Sequence, residues 1–304
     1  MSLEGKKVLI TGGSGFIGTH LILHLKKLGA DVLNVSNRSP QVACRTIISD
    51  LRKGDFSFLE EGFDYIIHLA ALSNHQMCMD PEEAFEYNVT MTHTLFSKLK
   101  DYKKIKKIIF MSSVVVYSRN VQVPIKEDSK LDIFHNNYSF TKGICEQISE
   151  YFIKKYDMPI FIFRLSNIYG PYQDWKINPN LLPQVISQAI INKKIEIWNL
   201  DPIRDYIYVD DVVEAIIKAL HSDTTGIFNL GTGIGTSVRE IITKIANLTN
   251  VEVNSLNKPV SGPIRIICDI NKIKNELGWR PRIILDEGIK RTVDHYKKII
   301  PFCK

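Results

Sequence analysis

Thr11-Gly12-Gly13-Ser14-Gly15-Phe16-Ile17-Gly18 is the stretch on which the fold turns. It follows Val8-Leu9-Ile10, an apolar run with the length of a strand. It precedes Phe16, Ile17, Leu21, Leu25 and Leu28, apolar at helical spacing until Gly29 stops the pattern. The spacing satisfies G-x-G-x-x-G from Gly13 and G-x-x-G-x-x-G from Gly12. Glycines there allow a tight turn and close backbone approach. The helix N-terminus that follows presents free N–H groups and the positive end of a dipole. This is the arrangement that cradles a diphosphate, so Thr11, Gly12, Gly15, Phe16, Ile17 and Gly18 are expected to hold a dinucleotide.

The same alternation continues outward. Val32 to Val35, Thr46 to Ile48, Tyr65 to Leu69, Ile108 to Met111 and Ile160 to Leu165 read as strands. A helix is expected from Pro81 toward Lys100, and another from a cap at Asn136 or Asn137 to Tyr156. Near-continuous apolar strands separated by helices predict α/β architecture: a Rossmann doubly wound parallel sheet with right-handed crossovers. Pro171, Pro179, Pro183 and Pro202 predict irregular pieces and short helices in the second half. The expected division is a dinucleotide-binding domain over 1–167, with strand 227–231 returning to it, and a smaller substrate-binding lobe over 168–304.

Composition narrows the partners. With 304 residues, 44% hydrophobic and 24% charged, the chain can bury a core and is not disordered. The net charge of +6 is scattered, and its one dense run, Lys103, Lys104, Lys106 and Lys107, reads as a solvated loop and not a nucleic-acid patch. A mild positive balance suits a small anionic substrate. Five cysteines, Cys44, Cys78, Cys145, Cys268 and Cys303, are odd in number and lack a C-x-x-C pair, so neither a disulfide framework nor a metal site is expected. No signal peptide or membrane span is read, and the expected compartment is the cytoplasm.

Two further features carry chemistry. Ser36-Asn37-Arg38-Ser39, at the end of the second strand, lacks the carboxylate that would bind a free adenosine ribose. Asn37 and Arg38 can instead meet a 2′-phosphate, which favours NADP(H) and leaves NAD(H) possible; the competing reading is a solvated Arg38. Tyr138 and Lys142 lie at i and i+4, on one helix face, where an ammonium is expected to lower the phenol's pKa. Ser112 and Ser113 end the fifth strand at its ligand-binding edge. Ser113 is the candidate for holding a substrate oxygen; Ser112 is read as a strand-end hydrogen bond.

These pieces, with HLAA (68–71), SSVVVY (112–117), YSFTK (138–142), RLSNIYGP (164–171), RDYIYVDDV (204–212), NLGTG (229–233) and LGWRP (277–281), resemble an extended short-chain dehydrogenase/reductase of the nucleotide-sugar epimerase/dehydratase family. The resemblance implies a nicotinamide cofactor and a nucleoside-diphosphate sugar as partner. It implies Ser113, Tyr138 and Lys142 as catalytic residues, the last two also touching cofactor. It places Asp50 and Leu51 beside the adenine, and Leu69, Ala70 and Ala71 along the cofactor. Asn167, Arg204 and Arg265 become substrate contacts; for Arg204 the alternative is an ion pair with Asp205 or Asp210. Asn88, Asp210 and Asp211 are read as structural. Asn180, Leu181, Trp175 and Trp198, in or beside the irregular region, are substrate-pocket candidates. A homodimer is implied, with Ile144, Ile148, Tyr151 and Phe152 as either its seam or the sheet's cover.

Related 4,6-dehydratases carry an acidic group just after the catalytic serine or threonine, where this chain has Val114 and Val115. Dehydration is therefore disfavoured. Activated-fucose epimerase–reductases use a Cys and a His where Val115 and Tyr172 stand, which sets that mechanism aside too. The reading on sequence is NADPH-dependent reduction of a keto-sugar, at C4. The alternative is a 4-epimerase with bound NAD, and a non-catalytic dinucleotide sensor ranks below both.

Overall fold

A computed structural model describes residues 2–260 and 262–302, so Cys303 lies outside the described residues. The first sheet contains β1 (Lys7–Thr11), β2 (Asp31–Ser36), β3 (Arg45–Ile48), β4 (Tyr65–His68), β5 (Lys107–Ser113) and β6 (Ile160–Leu165). The next strands in the chain are β7 (Asn167–Tyr169), β8 (Lys194–Ile197), β9 (Ile203–Tyr208) and β10 (Gly226–Leu230). β10 returns to the first sheet, whose seven strands run in the order β10-β6-β5-β4-β1-β2-β3, all parallel. The order reverses between β1 and β4. Ligand crevices form at such a switch, beyond the carboxyl ends of the strands.

Alternation along β1 sorts the core. Val8 and Ile10 face the cluster built on α1 (Phe16–Lys27), whereas Leu9 faces the opposite cluster. The opposite face is covered by α3 (Met91–Leu99) and α4 (Asn137–Tyr156). The helix expected from Pro81 starts there, as α2 (Pro81–Ala84), capped by Asp80, and reaches α3 through a π-helical segment over Phe85–Thr90. Asn136 caps α4 by accepting from Ser139 N at 2.8 Å. Phe152 is buried, and Ile144 and Ile148 pack against the same core, so these three cover the sheet; Tyr151 is exposed.

The second half is more regular than its prolines predict. It contains α5 (Leu181–Ile191), α6 (Val209–Leu220), α7 (Val238–Thr249), α8 (Asn271–Leu277) and α9 (Leu285–Ile299). Pro183 sits in the first turns of α5, and Pro171, Pro179 and Pro202 fall in connections. Prolines there cost no helical hydrogen bond. A second sheet joins β11 (Gly235–Ser237), β9 and β13 (Arg265–Ile266), with β7 also on β9, while β12 (Glu252–Ser255) pairs with β8. No helix among the described residues is long and apolar enough to cross a membrane.

Candidate active site

The glycine turn is shaped by contact. Gly12 has φ +73°, and a Cβ there would lie 2.6 Å from Ala70 N. A Cβ on Gly18 would strike the backbone of Gly13. These glycines seat α1 on the turn and the turn on Leu69 and Ala70, where Leu69 N donates to Thr11 O at 3.0 Å. Ser14 Oγ donates to Arg38 O at 2.7 Å and accepts from Asn34 Nδ2 at 3.1 Å, tying the turn to the end of β2. Gly15 caps α1 without a side-chain bond, and the first turn has no acidic residue. A turn that excludes Cβ atoms and opens a helix N-terminus free of side-chain caps fits a dinucleotide diphosphate.

The flanking candidates differ in setting. Asn37 and Arg38 are exposed, and Ala71 is half-buried at the same sheet edge. Asp50 accepts from Arg52 N and, bidentately, from its guanidinium, 2.6 Å at the shortest, and this holds its carboxyl below the usual range. Arg52 lies 3.7 Å over the Tyr87 ring, and Leu51 is buried.

Behind the turn runs a buried relay. Thr92 Oγ1 donates to Asn88 O at 2.6 Å, so it accepts from His68 Nε2 at 3.0 Å; Thr11 Oγ1 then donates to His68 Nδ1 at 2.6 Å. Burial pushes the His68 imidazole down to about 3, so it is neutral. Asn88 Nδ2 donates to Leu72 O and to Thr141 Oγ1, the latter on α4 beside Lys142. Asp210 and Asp211 are structural as well: Asp210 meets His20 and Arg291, and Asp211 accepts from Arg282 N and Ile283 N.

At the end of β5, Ser113 meets Tyr138. α4, which carries Tyr138, packs against β5 and the turn that follows it, and Ser113 is near enough to lower the Tyr138 phenol; Ser113 Oγ accepts from Val115 N at 3.4 Å. Ser112 Oγ instead donates to Glu146 Oε1 at 2.5 Å, the strand-end role expected for it. One expectation needs correction. Lys142 does not lower the phenol: desolvation pushes Tyr138 up to about 12, only partly offset by Ser113, with Cys78 adding to the rise. The reason is geometric, because Lys142 Nζ donates to Met111 O at 2.8 Å. Burial pushes that ammonium down in turn.

Of the substrate candidates, Asn167 and Arg204 lie on strands of the second sheet, and Arg265 on its β13 lines the cavity that reaches Val114 and Val115. Asn167 Nδ2 donates to Asp205 O at 3.4 Å. Arg204 Nη1 donates to Ile203 O and Ile264 O, and desolvation pushes its guanidinium down. It makes no ion pair with Asp205 or Asp210. Asp205 is filled by Thr232, Gly233 N and Cys268 N, and Asp210 by His20 and Arg291. Arg265 is exposed and lines a cavity of about 390 Å³ together with Val114 and Val115. Asn180, exposed, precedes α5 without capping it, and Leu181 begins that helix. Trp175 packs on the separate apolar cluster of the second half, which includes Tyr169, Val185 and Tyr296, and Trp198 is exposed under Lys258.

Sequence reading missed the relay partners His68 and Thr92, although His68 stands in the quoted HLAA. It missed Arg119 and His135 on the cavity wall, for which no local pattern exists. It also missed the buried pair of Glu146 and Arg164 behind Ser112.

The family model for the NAD dependent epimerase/dehydratase family matches residues 8–231. A human protein named dTDP-D-glucose 4,6-dehydratase is 30% identical over 96% of this chain and 90% of its own length. A putative UDP-glucose 4-epimerase of Methanocaldococcus jannaschii is 31% identical over 95% of this chain and 98% of its own. The crystal structure of UDP-glucose 4-epimerase with UDP-glucose from Thermotoga maritima superposes with a TM-score of 0.90 at 29% identity, covering 97% of this chain and 99% of that one. With the glycine turn, the switch-point crevice and these likenesses in agreement, the chain belongs to the NAD dependent epimerase/dehydratase family.

Proposed function

We propose that this chain is a nucleotide-sugar 4-epimerase, inverting the C4 hydroxyl of a sugar on a nucleoside diphosphate. The observation that carries the reading is the packing of α4, which bears Tyr138, on the end of β5 at Ser113, followed by Val114 and Val115. Epimerisation needs one proton-transferring group at the sugar oxygen. Loss of water across two carbons needs a further acid or base, and valine provides none. The names of the relatives now rank the two routes left open by the sequence, with epimerisation before reduction.

The turn from Thr11 to Gly18 would hold the diphosphate of the cofactor, with Leu69, Ala70 and Ala71 along it and Asp50 and Leu51 toward the adenine. A nicotinamide held there would supply reversible hydride transfer at the sugar carbon. Tyr138 moves the proton at the C4 oxygen, and Ser113 holds that oxygen. Lys142 would fix the cofactor ribose. Arg204 and Arg265 grip the substrate diphosphate, while Asn167, Asn180 and Leu181 border the sugar and nucleotide. The division between lobes is placed near residue 167. The enzyme is taken to be cytoplasmic and to work as a homodimer, for which exposed Tyr151 on α4 is a candidate seam residue.

The cofactor is taken to be NAD, as in the family's name, in place of the NADP(H) favoured by Arg38. NADPH-dependent keto-sugar reduction is the second reading, and exposed Arg38 with no carboxylate from Ser36 to Ser39 is what favours it. Incubation with UDP-glucose or UDP-galactose, without added reductant, tests the choice. Interconversion supports epimerisation; stoichiometric NADPH loss with a 4-keto-sugar and no interconversion overturns it.

A further inference from the structure

We infer that the sugar taken by this site carries a carboxylate, and that Arg119 selects it. The inference rests on the nucleotide-sugar reading and extends it to substrate class. The cavity of about 390 Å³ reaches Val114 and Val115, the residues that follow Ser113, so it lies on the chain's path away from the candidate catalytic serine. Its ionisable lining comprises Arg119, Arg265, His75, His135 and Tyr117, with no aspartate or glutamate. Arg204 abuts the same wall, because Ile266 of the lining pairs with it across β13 and β9, and its guanidinium donates to Ile264 O. Among the described residues, no carboxylate lies within ion-pair distance of Arg119, Arg204 or Arg265.

Like charges gathered around a cavity without a counter-ion repel each other, and an anionic ligand relieves that repulsion. A nucleoside diphosphate accounts for Arg204 and Arg265, one guanidinium for each phosphate. Arg119 is surplus to that count. It stands six residues past Ser113, on the segment whose Val114 and Val115 offer a sugar no side-chain hydrogen bond. A planar guanidinium matches a carboxylate bidentately, and it gains less from a neutral hydroxymethyl group. His135 gives its Nδ1 hydrogen to Asp132 O at 2.7 Å, leaving Nε2 as its other polar atom on the wall.

Calorimetric titration of the holoenzyme with UDP, UDP-glucose and UDP-glucuronate tests this. The expected result is UDP-glucuronate binding about tenfold or more tighter than UDP-glucose, the size of one charged hydrogen-bonded contact. Arg119→Ala should collapse that ratio to about 1, and Arg119→Lys should retain part of it. Equal affinities in the parent, or an Arg119→Ala loss that is the same for both sugars and for UDP, overturns the inference while leaving the nucleotide-sugar reading standing. Failure of UDP itself to bind overturns both.

Discussion

Glu146 and Arg164 form a buried ion pair, 2.7 Å between Arg164 Nη2 and Glu146 Oε2, with side chains 1% and 3% exposed. Arg164 Nε also donates to Glu146, at 2.9 Å, and Ser112 Oγ donates to the same carboxylate. The pair joins α4, one turn beyond Lys142, to β6 and to the strand residue before Ser113. It therefore fixes the helix bearing Tyr138 against the strand end it must face. Removing one partner leaves an uncompensated buried charge, costing about 3–5 kcal/mol. Glu146→Ala is expected to lower the urea-unfolding free energy by that amount. A double replacement by apolar residues of similar volume should lose less, and a single-variant loss under about 1 kcal/mol would refute the anchoring role.

Tyr138→Phe tests the proton-transfer role. Turnover should fall by about 10²–10⁴-fold, while binding of dinucleotide, read by fluorescence titration, persists. Unchanged turnover would remove Tyr138 from the mechanism.

His68 predicts an acid limb of stability. Its folded pKa of about 3 lies below the unfolded value near 6.5, so the unfolded chain binds the proton first as pH falls. Its contribution is complete above about 6.5 and is lost on acidification toward 3, at up to about 1.4 kcal/mol per pH unit. Thermal melts of His68→Gln against the parent should show a shallower decline over that window. Parallel declines would contradict the neutral assignment.

Gly18→Ala places a methyl group against the Gly13 backbone, which cannot yield as a flexible side chain would. The expected cost is about 1–3 kcal/mol of stability together with weakened dinucleotide binding, checked by melting temperature and titration.

Arg204→Ala should weaken UDP binding by about 10–100-fold, the loss of a charge-assisted contact to phosphate. Calorimetry reads this directly, and an unchanged affinity would return Arg204 to a purely structural role.

Much of this protein could be read along the chain because the deciding contacts are local. The turn from Thr11 to Gly18, the strand of β5 ending in two serines, and Tyr138 with Lys142 on one helix face all depend on residues within a few positions of each other. What the tertiary structure alone decided was the environment of those groups. An i, i+4 spacing suggested that Lys142 would acidify Tyr138, but the ammonium turns to Met111 O and burial drives the phenol the other way. The relay from Thr11 through His68 and Thr92 to Asn88 and Thr141 joins segments as much as 130 residues apart in the chain, and no periodicity announces it. The helices of the second half escaped the prolines because those residues sit at ends and connections. Hydrogen-bond direction, desolvation and the convergence of arginines on one cavity are properties of distances in space, and one-dimensional spacing does not specify them.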